Sequence, residues 1–183
     1  MSGSPYAQLA DALLGKGVRP FSHFQPPPDM GPSFWYPHSS LSVHLAVQLA
    51  KYVHGDGWIL ELGSFIGTSA STYAKALQYL HKDRVVVVCM DTWLGDVNMW
   101  EWKGSWLGPA SRSGEPRLFE QFKLNIMNKS LDNMILPVRT SASVGLRYLS
   151  RQVTKNKVQR PAVIYVDSGA PPCGRNMCNM LLQ

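Results

Sequence analysis

Residues 85–90 read VVVVCM, six apolar side chains in a row with no polar residue to break the run. A strand with one wet face alternates apolar and polar residues, so a short unbroken run suits a strand covered on both faces. Strands of that kind belong to parallel sheets, whose crossover connections lay helices over the sheet. The neighbouring segments supply the crossovers. Residues 58–62 form another short apolar run and residues 70–80 return to helical spacing. A further helix is expected over residues 115–128, with Pro116 in its first turn and Leu118, Phe122 and Ile126 turned inward. A strand over 134–138, a helix after Ser141 and a strand over 162–166 complete an alternation of four strands and three helices. The fold class expected is therefore α/β, a Rossmann-like parallel sheet sandwiched by helices.

Two helices are expected ahead of this core. Ser4 followed by Pro5 is a helix start, Leu9 and Leu13 recur four apart, and Gly15 is placed to stop the turn. Ser39 or Ser40 can cap a second helix with an apolar stripe of Leu41, Leu45, Leu49 and Val53, ended by Gly55. Between them, residues 20–37 hold six prolines and five aromatic rings, a composition hostile to regular structure but able to drape rings over a core or to form a flap beside a substrate. The chain thus divides into N-terminal helices and aromatic arm (1–55), a core (56–170) and an atypical tail (171–183). At 183 residues it is sized for a single domain.

Composition narrows the function classes. Eighteen Lys and Arg against 12 Asp and Glu give a formal charge of +6, but the basic residues are scattered, and the densest run, over 147–160, fits the solvated face of a helix better than a nucleic-acid groove. The opening MSGSPYAQLADALL lacks the basic stretch and unbroken apolar run of a signal peptide, and no segment reaches the ~20 apolar residues of a membrane span. A soluble, cytoplasmic protein without nucleic-acid or membrane partners is expected. Cys89, Cys173 and Cys178 are too few for a disulfide framework or a zinc site, and the five histidines show no ligand spacing.

The polar residues of interest fall where the strands end. In an open parallel sheet, ligands bind beyond the carboxyl ends of the strands, where the strand order reverses. Residues 59–70 read ILELGSFIGTSA, so the first strand ends on Glu61 and runs into Gly63, Ser64 and Gly67, with Thr68 and Ser69 opening a helix whose free N–H groups suit an anion. Asp91 ends the second strand, Thr140 and Ser141 follow the third, and Asp167 ends the fourth. A carboxylate at Asp91 could accept from both hydroxyls of a ribose. The glycines at 63 and 67 lie four apart and follow an acid, a pattern unlike the dinucleotide G-x-G-x-x-G. Glu61 would repel a pyrophosphate and suits a cationic amine.

An amine, a carboxylate and a ribose together describe S-adenosylmethionine. The segment ELGSFIGTS (61–69) resembles the first motif of class I S-adenosylmethionine-dependent methyltransferases, especially the small-molecule O-methyltransferases of the catechol type. The segments CMDTWLGD (89–96), FKLN (122–125) and IYVD (164–167) resemble a less characterised methyltransferase group with the same core, and the likeness spans about residues 58–167. The resemblance implies that Glu61 and the backbone at Gly63 hold the methionine amino end and Ser69 its carboxylate. It implies Asp91 on the ribose, Thr92 and Trp93 flanking the adenine, and Ser141 at the adenine edge. Asp167 matches the family acid near the sulfonium, the candidate catalytic residue, which in catechol-type members also ligates a divalent metal.

The tail departs from that pattern. Where the related group continues with a histidine and an acidic helix, this chain reads SGAPPCGRNMCNMLLQ after Asp167. The C-terminal strands of the full methyltransferase core are expected to be missing, and the transfer activity toward a small-molecule acceptor to be weak or absent. Two other classes stay open: a non-catalytic interaction protein that keeps the nucleoside pocket, and an NAD-dependent oxidoreductase, which the glycine spacing disfavours. Trp93, Trp100, Trp102 and Trp106 crowd the loop after the second strand, where they can stack on a base, wall a pocket or bury the loop. Asp167 can alternatively cap a following helix.

Overall fold

The structure, a computed structural model, describes residues 4–28, 30, 42–95 and 116–167. In chain order the elements are α1 (Pro5–Leu13), α2 (Val43–Lys51), β1 (Trp58–Leu62), α3 (Thr68–Tyr79), β2 (Val86–Asp91), α4 (Leu118–Met127), β3 (Ile135–Arg139), α5 (Ala142–Thr154) and β4 (Val163–Val166). The four strands form one sheet in the order β3-β2-β1-β4, and every pairing is parallel. The expected α/β class is the observed one. No helix among the described residues is long and apolar enough to cross a membrane.

The strand order and the hand of the crossovers decide which face each helix covers. From β1 to β2 to β3 the chain steps in one direction, so right-handed crossovers lay α3 and α4 on the same face. From β3 it returns past β1 to β4, and α5 must cross on the other face. The two apolar clusters follow this division. Ile59, Val87, Cys89 and Ile135 pack with Tyr73, Leu77, Phe122 and Ile126 of α3 and α4. The alternate residues Trp58, Leu60, Leu62, Val88, Met90 and Leu136 pack with Leu146 and Leu149 of α5 and with Leu9 and Leu13 of α1. All five residues of β1 are buried, as a central parallel strand requires.

Local signals placed the starts of α1 and α5, but α4 begins at Leu118 with Arg117 at its cap, so Pro116 precedes the helix instead of sitting in its first turn. Ser4 Oγ accepts from Ala7 N at 3.2 Å with Pro5 in the first turn, and Ser141 Oγ accepts from Val144 N at 3.4 Å at the start of α5. The second helix differs from expectation. Its cap is Ser42, whose Oγ accepts from Leu45 N at 3.1 Å, and it stops at Lys51, before Gly55. Leu45, expected inward, is 41% exposed, while Ala46 and Ala50 are the fully buried residues. The reason is the neighbour: α2 packs on α3, whose Ala70 and Ala74 are also fully buried, so small side chains form the seam and leucine is turned out. Lys82 Nζ then caps the end of α2, donating to Ala50 O, Lys51 O and Val53 O at 2.6–3.1 Å. Ala50 O and Lys51 O belong to the last turn, whose carbonyls a helix C-terminus leaves short of intrahelical partners.

Of the aromatic arm, Phe21 is buried in the core and Phe24 lies against Lys123. Phe34, Trp35 and Tyr36 fall outside the described residues, as do Leu41, Trp100, Trp102, Trp106 and the 171–183 tail.

Candidate functional site

The carboxyl ends of the four strands meet at one edge. Gly63 N donates to Met90 O, Asp167 N to Leu62 O and Thr140 N to Asp91 O, each at 2.8–2.9 Å, so the ladder runs one residue past β1, β3 and β4 before the loops diverge. The strand order reverses between β1 and β4, which puts the switch point beside Glu61 and Asp167.

Glu61 is fully buried, on the face covered by α3 and α4, and pairs in register with Cys89 of β2. Its Oε2 accepts from the Cys89 thiol at 3.5 Å, while Oε1 has no partner in bonding geometry. Burial pushes the carboxyl up to about 7; the nearby hydroxyls of Ser64 and Ser69 and the Cys89 thiol pull it down, and Asp167 raises it further. The same burial, then Glu61, pushes the Cys89 thiol up. Tyr73, fully buried with its hydroxyl unpartnered, is raised by burial first and then by Glu61, Tyr165 and Asp167. Tyr73 and Tyr165 also meet edge to face, with ring centroids 5.6 Å apart.

The loop from β1 to α3 is built for close approach. Gly63 and Gly67 have φ of 85° and 87°, in the left-handed region that side chains resist. A Cβ on Gly67 would meet Ile126 Cδ1 at 3.0 Å and Phe122 ring carbons at 3.1 Å, so glycine is required by space as well as by angle. As the N-cap of α3, Gly67 has no side chain to satisfy the helix's first N–H groups, which leaves them for an anion. Ser64 Oγ and Thr68 Oγ1 beside them are buried without a hydrogen-bond partner. Buried hydroxyls outside bonding geometry and a half-bonded buried carboxylate are costly in a finished core, and both gather at this edge.

Asp91 organises the other side. Its Oδ2 accepts from Phe65 N at 2.9 Å and its Oδ1 from Trp93 N at 2.7 Å. Phe65 and Trp93 both have positive φ, 45° and 52°, uncommon for bulky residues, and the carboxylate holds both in place. Each oxygen keeps a further lone pair for a ligand. Trp93 is not at the surface where the resemblance would have it flank an adenine. It is fully buried against Phe119 and Phe122, and its Nε1 donates to Phe65 O at 2.6 Å, because an indole this large gains more from the core beneath the loop than from solvent. Thr92 stays partly exposed; its Oγ1 accepts from Leu94 N and its carbonyl from Arg139 Nε, both at 3.3 Å. Ser141 caps α5 at the same edge.

The structure thus brings Glu61, Ser64, Ser69 and Asp167 together, seats Asp91 and Thr92 one strand away, and sends Trp93 inward. Three participants had little signal of their own. Cys89 reads as one more apolar strand residue, and only the register with Glu61 gives it a role. Gln121 and Asn125, fully buried on the inner face of α4, read as helix-surface polar residues until the fold is assembled. Among the described residues, no three His, Cys, Asp or Glu side chains gather where they could hold a metal ion.

A scan of this chain against models of known protein families finds no match, and a search of curated proteins finds none either.

Proposed function

We propose that this edge binds S-adenosylmethionine and that the protein is a class I methyltransferase acting on a small molecule. The observation that carries the reading is the pairing, within one loop, of a buried carboxylate with an unpartnered oxygen and a helix N-terminus without a side-chain cap. Glu61 Oε1 offers the acceptor an ammonium group needs, and the start of α3 offers N–H donors to a carboxylate, so an amino acid's two charges each find a partner. Asp91, with lone pairs left on both oxygens, is placed to receive the two hydroxyls of a ribose. Thr92 and Ser141 line the edge beyond it, on the side where a base would follow.

A dinucleotide fits less well, since the buried acid of Glu61 would face a pyrophosphate. S-adenosylmethionine, when bound, supplies an electrophilic methyl group on a sulfonium sulfur. The chain's part is to fix the two ends of that ligand so that the methyl faces the acceptor, an effect of positioning that needs no general base. Asp167, one residue past β4 and near enough to Glu61 to raise its carboxyl, is the candidate to orient the acceptor.

Calorimetric titration with S-adenosylhomocysteine and, separately, with NAD tests the assignment. S-adenosylhomocysteine is expected to bind and NAD not to bind. Tighter binding of NAD would overturn it.

A further inference from the structure

The four residues that connect Gly63 to α3 are gripped from behind by α4. Asn125 Nδ2 donates to Ile66 O at 2.9 Å, across 59 residues of sequence, and Gln121 Nε2 donates to Asn125 Oδ1 at 2.7 Å. Both side chains are fully buried. The same helix supplies Phe122 and Ile126, which press on the α-carbon of Gly67, and Phe122 carries the indole of Trp93, which holds Phe65 O. Every carbonyl from Phe65 to Ile66 therefore has a partner that α4 contributes or supports.

A buried amide pair is a costly choice for the inner face of a helix, where leucine would pack without a hydrogen-bonding requirement. Asn125 reaches a carbonyl of the loop far from it in the chain. We infer that Asn125 is a positioning residue for the ligand loop: it holds the Ile66 carbonyl toward α4 and so keeps the first N–H groups of α3 turned to the carboxyl edge. Gln121 orients the Asn125 amide, occupying its oxygen so that its nitrogen faces Ile66. This deepens the proposed function, because the N–H groups so aimed are those assigned to the ligand's carboxylate. On this reading the FKLN segment owes its asparagine to this contact.

The double variant Gln121→Leu with Asn125→Leu separates positioning from stability. It removes both buried amides together but leaves the Ile66 carbonyl without its donor, so the urea midpoint is expected to fall modestly, while a purely structural loss would also speed exchange in β1. Hydrogen exchange in the free protein, read on a peptide spanning residues 63–69, is expected to quicken about tenfold as the loop opens locally, with β1 unaffected. S-adenosylhomocysteine affinity is expected to fall about tenfold, the scale of one lost hydrogen bond. Unchanged loop exchange in a folded double variant overturns the positioning role. A loop that loosens in a protein whose wild type binds no S-adenosylhomocysteine upholds the positioning role and removes the ligand assignment, so the two failures are distinct. If the double variant is too unstable to measure, single Asn125→Leu under the same exchange readout decides, with faster loop exchange supporting the role and wild-type exchange overturning it.

Discussion

Glu61 lies where water does not reach, one strand from Asp167 and against the Cys89 thiol, and these surroundings set its proton. Its carboxyl is raised from 4.5 to about 7 in the folded chain, with burial the main cause. A raised carboxyl favours the fold while protonated: the contribution is complete below the unfolded value and is lost as pH climbs through the folded value. Wild type is therefore expected to lose stability between about pH 4.5 and 7 relative to Glu61→Gln, with the gap reaching about 3 kcal/mol near pH 8 for a shift of this size. Urea midpoints of the two proteins across that range check it, and parallel curves would show that Glu61 titrates normally. The residue accepts this cost only where its charge meets a partner, and the unpartnered Oε1 fits a ligand's ammonium. Asp91 makes the complementary case, since its two backbone bonds hold Phe65 and Trp93 in left-handed conformations.

The start of α3 is the element on which the site turns. Most helices here begin at a serine whose hydroxyl takes one of the first N–H groups, as Ser4, Ser42 and Ser141 do. This one begins at Gly67, with φ of 87° and no cap, so its dipole and its donors stay open at the carboxyl edge. Gly67→Ala combines a left-handed alanine with a Cβ 3.0 Å from Ile126 and 3.1 Å from Phe122, and is expected to destabilise the protein by about 2–4 kcal/mol. Chemical denaturation measures that loss; a cost below about 0.5 kcal/mol, the level of an ordinary surface change, would mean the loop has another conformation within reach. Much of this was legible in advance. Gly63 and Gly67 after a strand, with Thr68 and Ser69 opening a helix, marked the turn, because backbone conformation and helix start are local properties. The reach of Asn125 to Ile66 O was not, because a buried amide and an exposed one look alike in a helical pattern.

Across the whole molecule, β1 and β2 are the centre and β4 an outer strand of the described sheet. The five residues of β1 are all buried, and five of the six in β2, whereas β4 has three half-buried residues and an exposed Val166. Burial and flanking pairs on both sides raise the free energy of local opening, so native-state hydrogen exchange is expected to be slowest in β1 and β2 and faster in β4. Equal protection in all four strands would show that the sheet opens only as a unit. The two-faced core follows the same geometry: α1 and α5 share one cluster, while α2, α3 and α4 share the other. Opening β4 would leave the Asp91 side intact and disturb the Glu61 and Asp167 side, so the Asp91 side of the edge is the more firmly built.

The amino-acid sequence by itself determined the element types and the α/β class. Hydrophobic period, serine caps and glycines act over a few residues, and Trp58–Leu62 as a strand or Ser141 as a cap can be seen without any neighbour. Tertiary structure decided the rest. The order β3-β2-β1-β4 sets Cys89 and Tyr165 beside Glu61, the packing of α2 on α3 turns Leu45 out, and the core beneath the second loop draws Trp93 in. Each depends on contacts between residues far apart in the chain, where what a side chain does is settled by the partner that the fold brings to it.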